Sequence, residues 1–427
     1  MITSPAWRGE RFAVLGLARS GAATVRALVG SGAEVTAWDV NEAAREQVTG
    51  AALADPLDID LAGFAGVVVS PGVPINRHPI AAHTREAGVP VIGDIELFAQ
   101  ARANLPPHRV VGITGTNGKS TTTALIHHIC ETAGLPARLG GNIGLPILSA
   151  DPLPEGGVYV LELSSYQIDL TQSLDCDVAV LLNLTPDHLD RYDGFDAYAA
   201  SKARLFAMQS AEHRAIIGIS DTPSYEIARS LSARGEALTK IAPGICMDQS
   251  RWPALQGPHN AQNALAAIEA CRALGIDDAA IDRALETFAG LSHRMERVRE
   301  LRGVAYINDS KATNPASAAP ALAAFDAVHW IVGGQAKAGD LDACRPYFGH
   351  VRCAYTIGEA GAMFADLLTP EMPVDRCGTL ERAVVAAAAN AKEGEVVLLS
   401  PACASFDQFR DFEARGQAFR ARVEELA

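Results

Sequence analysis

Short apolar runs, separated by turn residues and by stretches of helical periodicity, divide the chain into a repeating strand–helix pattern. The first run, Arg11–Leu15, leads into Gly16-Leu17-Ala18-Arg19-Ser20-Gly21 and a helical pattern to about Val29; a second, Glu34–Trp38, ends in Asp39. Residues 67–69, three valines, run into Ser70-Pro71-Gly72-Val73-Pro74. This is the opening of a doubly wound unit, with a glycine turn at the first helix start and an acid closing the second strand, where a ribose or uracil could sit. The middle glycine of G-x-G-x-x-G is absent, so a ligand-free helix-start turn is an equal reading of this stretch alone. Two prolines within residues 104–107 mark a first boundary.

The next run carries the strongest chemical signal: Val110-Val111-Gly112-Ile113-Thr114-Gly115-Thr116-Asn117-Gly118-Lys119-Ser120-Thr121, followed by a helical pattern to about Thr132. Strand, glycine-bracketed turn and helix start make a phosphate cradle. Backbone N–H groups converge, Lys119 reaches terminal phosphates and the Ser120 hydroxyl can ligate Mg²⁺. Ile113 stands where the generic loop has its first glycine. A glycine-dense loop, Leu139-Gly140-Gly141-Asn142-Ile143-Gly144, precedes a strand over residues 158–165 that carries Glu162 inside an apolar run. Burying that charge unpaired is costly, so Glu162 meets a metal, a cation or a hydrogen-bond donor. The strand over residues 178–182 ends near His188, which shares the expected ligand edge with the phosphate loop and Glu162. In the helix over residues 196–208, periodicity makes Lys202 and Arg204 solvated charges. Residues 220–256 give no clear pattern, beyond a strand at 215–219. A helix opening at Gly257-Pro258 puts Asn260 and Asn263 on one face, where they read an adenine edge or, for Asn260, cap the helix. A further helix spans 278–289.

Strands at 305–308, 328–332, 354–357 and 396–399 alternate with helices at 315–325 and 379–391, and residues 409–425 form an amphipathic closing helix. Polar clusters stand at the strand ends: Asp309-Ser310-Lys311-Ala312-Thr313-Asn314, Gly333-Gly334-Gln335-Ala336-Lys337 and Ser400-Pro401-Ala402-Cys403-Ala404-Ser405. Cys403 reads as a small buried apolar residue.

A chain of 427 residues exceeds one ordinary core and suggests about three domains. A formal charge of −14 argues against a nucleic-acid or membrane-surface protein. The eight cysteines show no Cys-x-x-Cys or paired Cys/His spacing, so neither a zinc site nor a disulfide framework is expected. No signal-peptide pattern or membrane-length apolar stretch is evident, and the expected location is the cytoplasm.

The order of these motifs resembles the Mur ligase family. It is carried by Gly-Thr-Asn-Gly-Lys-Ser-Thr, Glu162-Leu163-Ser164-Ser165-Tyr166-Gln167, Thr185-Pro186-Asp187-His188-Leu189-Asp190, His259-Asn260 with Asn263, His293-Arg294, and the Asp309–Asn314 and Ser400–Ser405 segments. The last two narrow the resemblance to members that add D-glutamate.

The resemblance implies an α/β protein of three domains: an N-terminal Rossmann-like domain, 1–107, for the UDP substrate; a central P-loop ATPase-type domain, 108–292; and a C-terminal Rossmann-like domain, 293–427, for the amino acid. It implies a monomer joining D-glutamate to UDP-N-acetylmuramoyl-L-alanine in peptidoglycan precursor synthesis, with ATP and two Mg²⁺ ions. Gly115, Thr116, Asn117, Gly118, Lys119, Ser120, Thr121, Asn260, Asn263, Arg294 and Asp309 would hold ATP. Ser120, Glu162, His188 and a carbamylated Lys202 would hold metal; Lys119, Glu162, His188 and Lys202 form the implied catalytic set. Gly16, Leu17, Asp39, Ser70, Gly72, Asn142 and Gln167 would face the UDP substrate, and Lys311, Thr313, Lys337, Ser405 and Phe412 the D-glutamate. The rival readings are an amide ligase of the same superfamily with other substrates, a nicotinamide-dependent oxidoreductase, and a silent nucleotide-binding module.

Overall fold

In the computed structural model, residues 1–188, 191–242, 247–336 and 339–426 are described, His259 by its backbone alone. Lys337 therefore lies outside the described residues, as do Leu189 and Asp190. The fold is mixed α/β, built on three sheets.

The first sheet contains β1 (Arg11–Leu15), β2 (Glu34–Trp38), β3 (Ala52–Leu53), β4 (Gly66–Val69) and β5 (Val91–Ile92), all parallel, in the order β3-β2-β1-β4-β5. The second contains β6 (His108–Thr114), β7 (Ala137–Gly141), β8 (Gly157–Glu162), β9 (Val178–Leu181), β10 (Arg214–Gly218) and β11 (Leu238–Ile241), also parallel, in the order β11-β10-β9-β6-β8-β7. The third contains β12 (Glu296–Leu301), β13 (Val304–Asn308), β14 (Val328–Gly333), β15 (Val351–Ile357), β16 (Val374–Gly378) and β17 (Val396–Leu399), in the order β12-β13-β17-β14-β15-β16. Only its β12–β13 pair is antiparallel. Each order reverses direction at an interior strand: between β1 and β4, around β6, and between β13 and β14. Open sheets leave a crevice at such points, beyond the carboxyl ends of the strands.

The uninterrupted apolar runs follow from burial on both faces. In β14 and β17, Val328, Trp330, Val332, Val396 and Leu398 pack into one core, while Ile331, Val397 and Leu399 enter the core on the opposite face. Four assignments from sequence change. The second-sheet strand stops at Glu162, because Ser164 caps a short helix, Ser165–Asp169, with a reciprocal Gln167 bond. Residues 220–256 do contain a helix, Thr222–Ser230, and the edge strand β11. Asn260 is not a cap: the helix starts at Pro258, and the Asn260 amide donates back to the Gln256 carbonyl at 3.1 Å. The closing helix, Phe412–Glu424, buries Arg415 beside Phe419 and Val423, so its inward face is not purely apolar.

The chain falls into two compact units, Met1–Cys246 with Gln262–Leu285, and Met247–Ala261 with Glu286–Ala427. In the first unit the first two sheets share one core, which joins Phe12, Val14 and Leu28 to Leu161 and Leu181. A buried carboxylate fastens them further. Glu96, on the helix Asp94–Ala101, accepts from Gln172 N–H at 2.7 Å, Ser173 N–H at 2.9 Å and the Ser173 hydroxyl at 2.7 Å. Three residues earlier, Gly93 N–H donates to the Leu170 carbonyl at 2.8 Å, and a Cβ on Gly93 would press on Leu170. Glu96→Ala removes the acceptor of these three part-buried donors and of the Gln100 side-chain amide, which donates to it at 3.2 Å, and is expected to lower unfolding stability by about 2 kcal/mol, read by urea titration; a loss below about 1 kcal/mol would mean that water replaces the carboxylate.

Candidate active site

The phosphate loop leaves β6 late. Ile113 is still a fully buried strand residue, which is why glycine is not needed there; the turn begins at Gly115, with φ at +144°, and closes at Gly118, with φ at +85°. A Cβ on Gly118 would lie 2.2 Å from the Asn263 side-chain oxygen, so that amide abuts the loop. Asn183, at the end of β9, holds the turn: its carbonyl accepts from Thr116 N–H and its side-chain oxygen from Asn117 N–H, both at 2.9 Å. The Thr116 hydroxyl meets the Thr185 carbonyl at 3.1 Å and the Tyr198 hydroxyl at 3.0 Å. Lys119 curls over the loop and donates to the carbonyls of Gly115 at 3.0 Å and Thr116 at 2.8 Å. Ser120 and Thr121, in the first turn of the helix Lys119–Thr132, are buried.

Glu162 closes β8, next to Ile113 of β6. It is 2% exposed. One carboxylate oxygen accepts from the Asn142 amide at 2.8 Å, and the other has no hydrogen-bond partner. A buried, half-satisfied carboxylate beside a phosphate cradle has the donor chemistry that a hard divalent cation takes up.

Lys202 overturns the solvated reading, being 2% exposed in the helix Gly194–Ala207. Its ammonium lies 3.4 Å from the Thr114 hydroxyl and 4.9 Å from the Tyr198 ring centre. Burial, then the nearby Lys119 charge, hold its pKa well below the usual lysine value, against the opposing pull of Asp187, Glu162 and Asp169. Arg204, two positions on, is exposed as expected. His188 sits in a left-handed backbone conformation, φ +54°, its ring 5.0 Å from Tyr166 and 6.3 Å from Tyr198. His188 and Lys202 thus flank the same tyrosine. Among the described residues, no cluster of three His, Cys, Asp or Glu closes on a metal.

The first sheet's turn is also assembled. Leu17 N–H donates to Asp39 at 2.6 Å, and the Ser70 hydroxyl donates to the Gly16 carbonyl at 2.8 Å, across the β1–β4 crevice. Gly72 is exposed, with open space around it. A cleft of about 280 Å³ runs from Ala18, Arg19 and Ser20 to Gly141, Asn142 and Gln167. The Arg19 guanidinium spans it to the Gly144 carbonyl at 2.7 Å. Gln167 lines the cleft while its side-chain oxygen accepts from Ser164.

In the second unit, Asp309, Ser400 and Gly334 follow β13, β17 and β14. Asp309 accepts from the Ser400 hydroxyl at 2.8 Å and Met295 N–H at 3.2 Å. Burial pushes its pKa up to about 7, against the lowering effects of Ser400, Arg294, Met295 and Arg415. The Lys311 ammonium lies 5.5 Å from the Phe412 ring centre, and Ser405 is buried in the loop after β17. Thr313 is half-buried in the loop after Asp309, with no hydroxyl contact to Lys311, Ser405 or Phe412 among the described hydrogen bonds. Arg415, 1% exposed, ties that edge together by donating to Ser310, Cys403 and Ala404. Cys403 is buried, its thiol pushed up to about 12 by desolvation, as its apolar reading requires.

The sequence reading passed over Tyr198, Asn183, Arg415 and Asp94. Asn183 stands between the strand at 178–182 and the Thr185–Asp190 segment and could have been found there; the others reach the site through tertiary packing that no spacing encodes.

Residues 113–243 match the Mur ligase middle domain, and residues 293–403 the Mur ligase, glutamate ligase domain. The chain is 66% identical, over all of its length and 97% of the relative's, to the UDP-N-acetylmuramoylalanine–D-glutamate ligase of Novosphingobium aromaticivorans. The enzyme of that name from Sphingopyxis alaskensis is 65% identical over the whole of both chains. The chain belongs to the UDP-N-acetylmuramoylalanine–D-glutamate ligases of the Mur ligase family. A solved UDP-N-acetylmuramate–alanine ligase from Thermotoga maritima shares the fold at 17% identity, with a TM-score of 0.58 over 97% of this chain and 99% of its own. Family membership sets aside the oxidoreductase reading. Among the described residues, no helix is long and apolar enough to cross a membrane.

Between about pH 4 and about pH 7 the folded protein keeps on Asp309 a proton that the unfolded chain has released, so this group's contribution to stability is lost as pH rises through that window. Asp309→Asn cannot ionise. Its unfolding free energy, from urea titrations at about pH 5 and about pH 8, should fall less than that of the wild type, and equal falls would contradict the raised value.

Proposed function

We propose that this chain joins D-glutamate to UDP-N-acetylmuramoyl-L-alanine with ATP, through an acyl phosphate, as a step of peptidoglycan precursor synthesis. The observation that carries this is the grouping of Lys119, Glu162 and Lys202 around the end of β6, in a chain of this ligase family. The three sheets, each with its own crevice, support a division into domains at 1–107, 108–292 and 293–427, the outer two Rossmann-like.

Three anions must be brought together: ATP, a carboxylate on the nucleotide sugar, and the dicarboxylate amino acid. The loop amides from Gly115 to Thr121 and the Lys119 ammonium receive the phosphates, with Asn260, Asn263, Arg294 and Asp309 serving the rest of the nucleotide. The sugar-linked carboxylate attacks the γ-phosphorus, the bond to ADP breaks, and an acyl phosphate results. The D-glutamate amine then attacks the acyl carbon, and the tetrahedral intermediate expels phosphate as the amide forms. Ser120 and Glu162 would hold one Mg²⁺; His188 and Lys202 would serve a second. Bound there, Mg²⁺ offsets phosphate charge and favours in-line transfer. The depressed pKa of Lys202 favours the neutral amine, which adds to CO₂ to give a carbamate and a proton, turning a buried cation into an oxygen donor. Gly16, Leu17, Asp39, Ser70, Gly72, Asn142 and Gln167 face the nucleotide sugar. Lys311, Thr313, Ser405 and Phe412 would serve the D-glutamate, the Lys311 ammonium holding a carboxylate, and Lys337, outside the described residues, is expected to do the same.

Phosphate release should require the nucleotide sugar, Mg²⁺ and D-glutamate together; equal turnover with L-glutamate would overturn the amino-acid assignment. Lys119→Ala should lower kcat by about a thousandfold or more while leaving the thermal transition near that of the wild type. Near-normal turnover would contradict the role given to that ammonium.

A further inference from the structure

The cleft between the first two sheets contains a buried carboxylate that the reading above leaves idle. Asp94 lines it, together with Ser20, Pro71 and Gln167, and is only 5% exposed. As the first residue of the helix Asp94–Ala101, a carboxylate favours the helix dipole, which is the ordinary reason for an acid at that place. Its hydrogen bonding goes no further than its own turn. Among the described hydrogen bonds its partners are Ile95 N–H at 3.1 Å and its own N–H, with no hydroxyl, side-chain amide or cation. A carboxylate has about four acceptor sites, so most of the capacity of this buried group is unspent.

Its position is fixed from both sides. Gly93 is bonded to Leu170, and Glu96, two residues on, is locked to Gln172 and Ser173 of the second sheet. The backbone that carries Asp94 is thus held at the cleft wall.

The contents of the cleft define what it faces. Asp39 and Leu17 meet at the far end of the glycine turn, where the nucleoside belongs. The start of the helix Arg19–Gly30 and the Arg19 guanidinium suit a diphosphate. Asn142, on the opposite wall, is bonded to Glu162, where the reacting carboxylate must arrive. The part of the ligand between diphosphate and carboxylate is the sugar. The geometry points to Asp94 as the residue that reads this sugar, accepting a hydrogen bond from one of its hydroxyls or from its amide N–H. This rests on the functional reading above. A carboxylate repels the neighbouring diphosphate, so it adds affinity only when a ligand donor meets it; a nucleotide without the sugar gains nothing from it.

Calorimetric titration of the full chain with UDP and with UDP-N-acetylmuramoyl-L-alanine separates the possibilities. Asp94→Ala should weaken the nucleotide sugar by about tenfold or more and leave UDP within about twofold. Asp94→Asn, which keeps one acceptor oxygen and the shape, should recover part of the loss, and unchanged ATP affinity shows that either variant is folded. Equal weakening of both ligands, or no change in either, would overturn the inference and leave Asp94 as a helix-end charge. If the wild type bound ATP but not the nucleotide sugar, the ligase reading would fall and take this inference with it.

Discussion

A carboxylate and an amine, Glu162 and Lys202, are buried beside the phosphate loop without closing a salt bridge with each other. Desolvating an ion costs several kcal/mol unless its field is answered, and here the answers are partial: one amide for the carboxylate, one distant hydroxyl and a ring face for the amine. Such an arrangement is poor as architecture and useful as a receptacle. In the proposed reaction, divalent cations and a carbamate complete what the protein leaves unfinished. The surrounding sheet supports the strain, because β6, β8 and β9 are hydrogen-bonded in register up to the residues that carry the site.

The same economy runs through the first unit. Glu96 is buried like Glu162 but fully answered, by four donors, and it fastens rather than binds. The difference between the two carboxylates lies in their neighbours and not in their residue type, which is why burial alone never identifies a functional acid. In the second unit Arg415 plays the fastening part, a buried cation satisfied by carbonyls and a hydroxyl, with its pKa drawn down to about 10 by desolvation.

Much of this was legible in the letters. Strands buried on both faces announce themselves as β-branched runs, and β1 and β2 were read to the residue. The phosphate loop needed only its glycines and Lys119. What periodicity could not reach was Lys202, because a lysine among alanines on a helix carries no sign of which way it faces; tertiary packing turned it inward. Of the two readings of Asn260, the cap falls, because the helix already starts at Pro258, a residue suited to the first turn. The antiparallel edge strand β12, Glu296–Leu301, escaped notice because its alternating charges resemble a solvated loop. Tyr198 and Arg415 act across long sequence separations, beyond the range of any local pattern.

The curled Lys119 carries a consequence for how the nucleotide comes and goes. Its ammonium already holds two carbonyls of its own loop, so an arriving phosphate replaces satisfied bonds and gains only the difference. Part of the attraction is thereby returned when the side chain folds back. A cradle that can hold itself shut lets a bound phosphate go more readily than one left gaping.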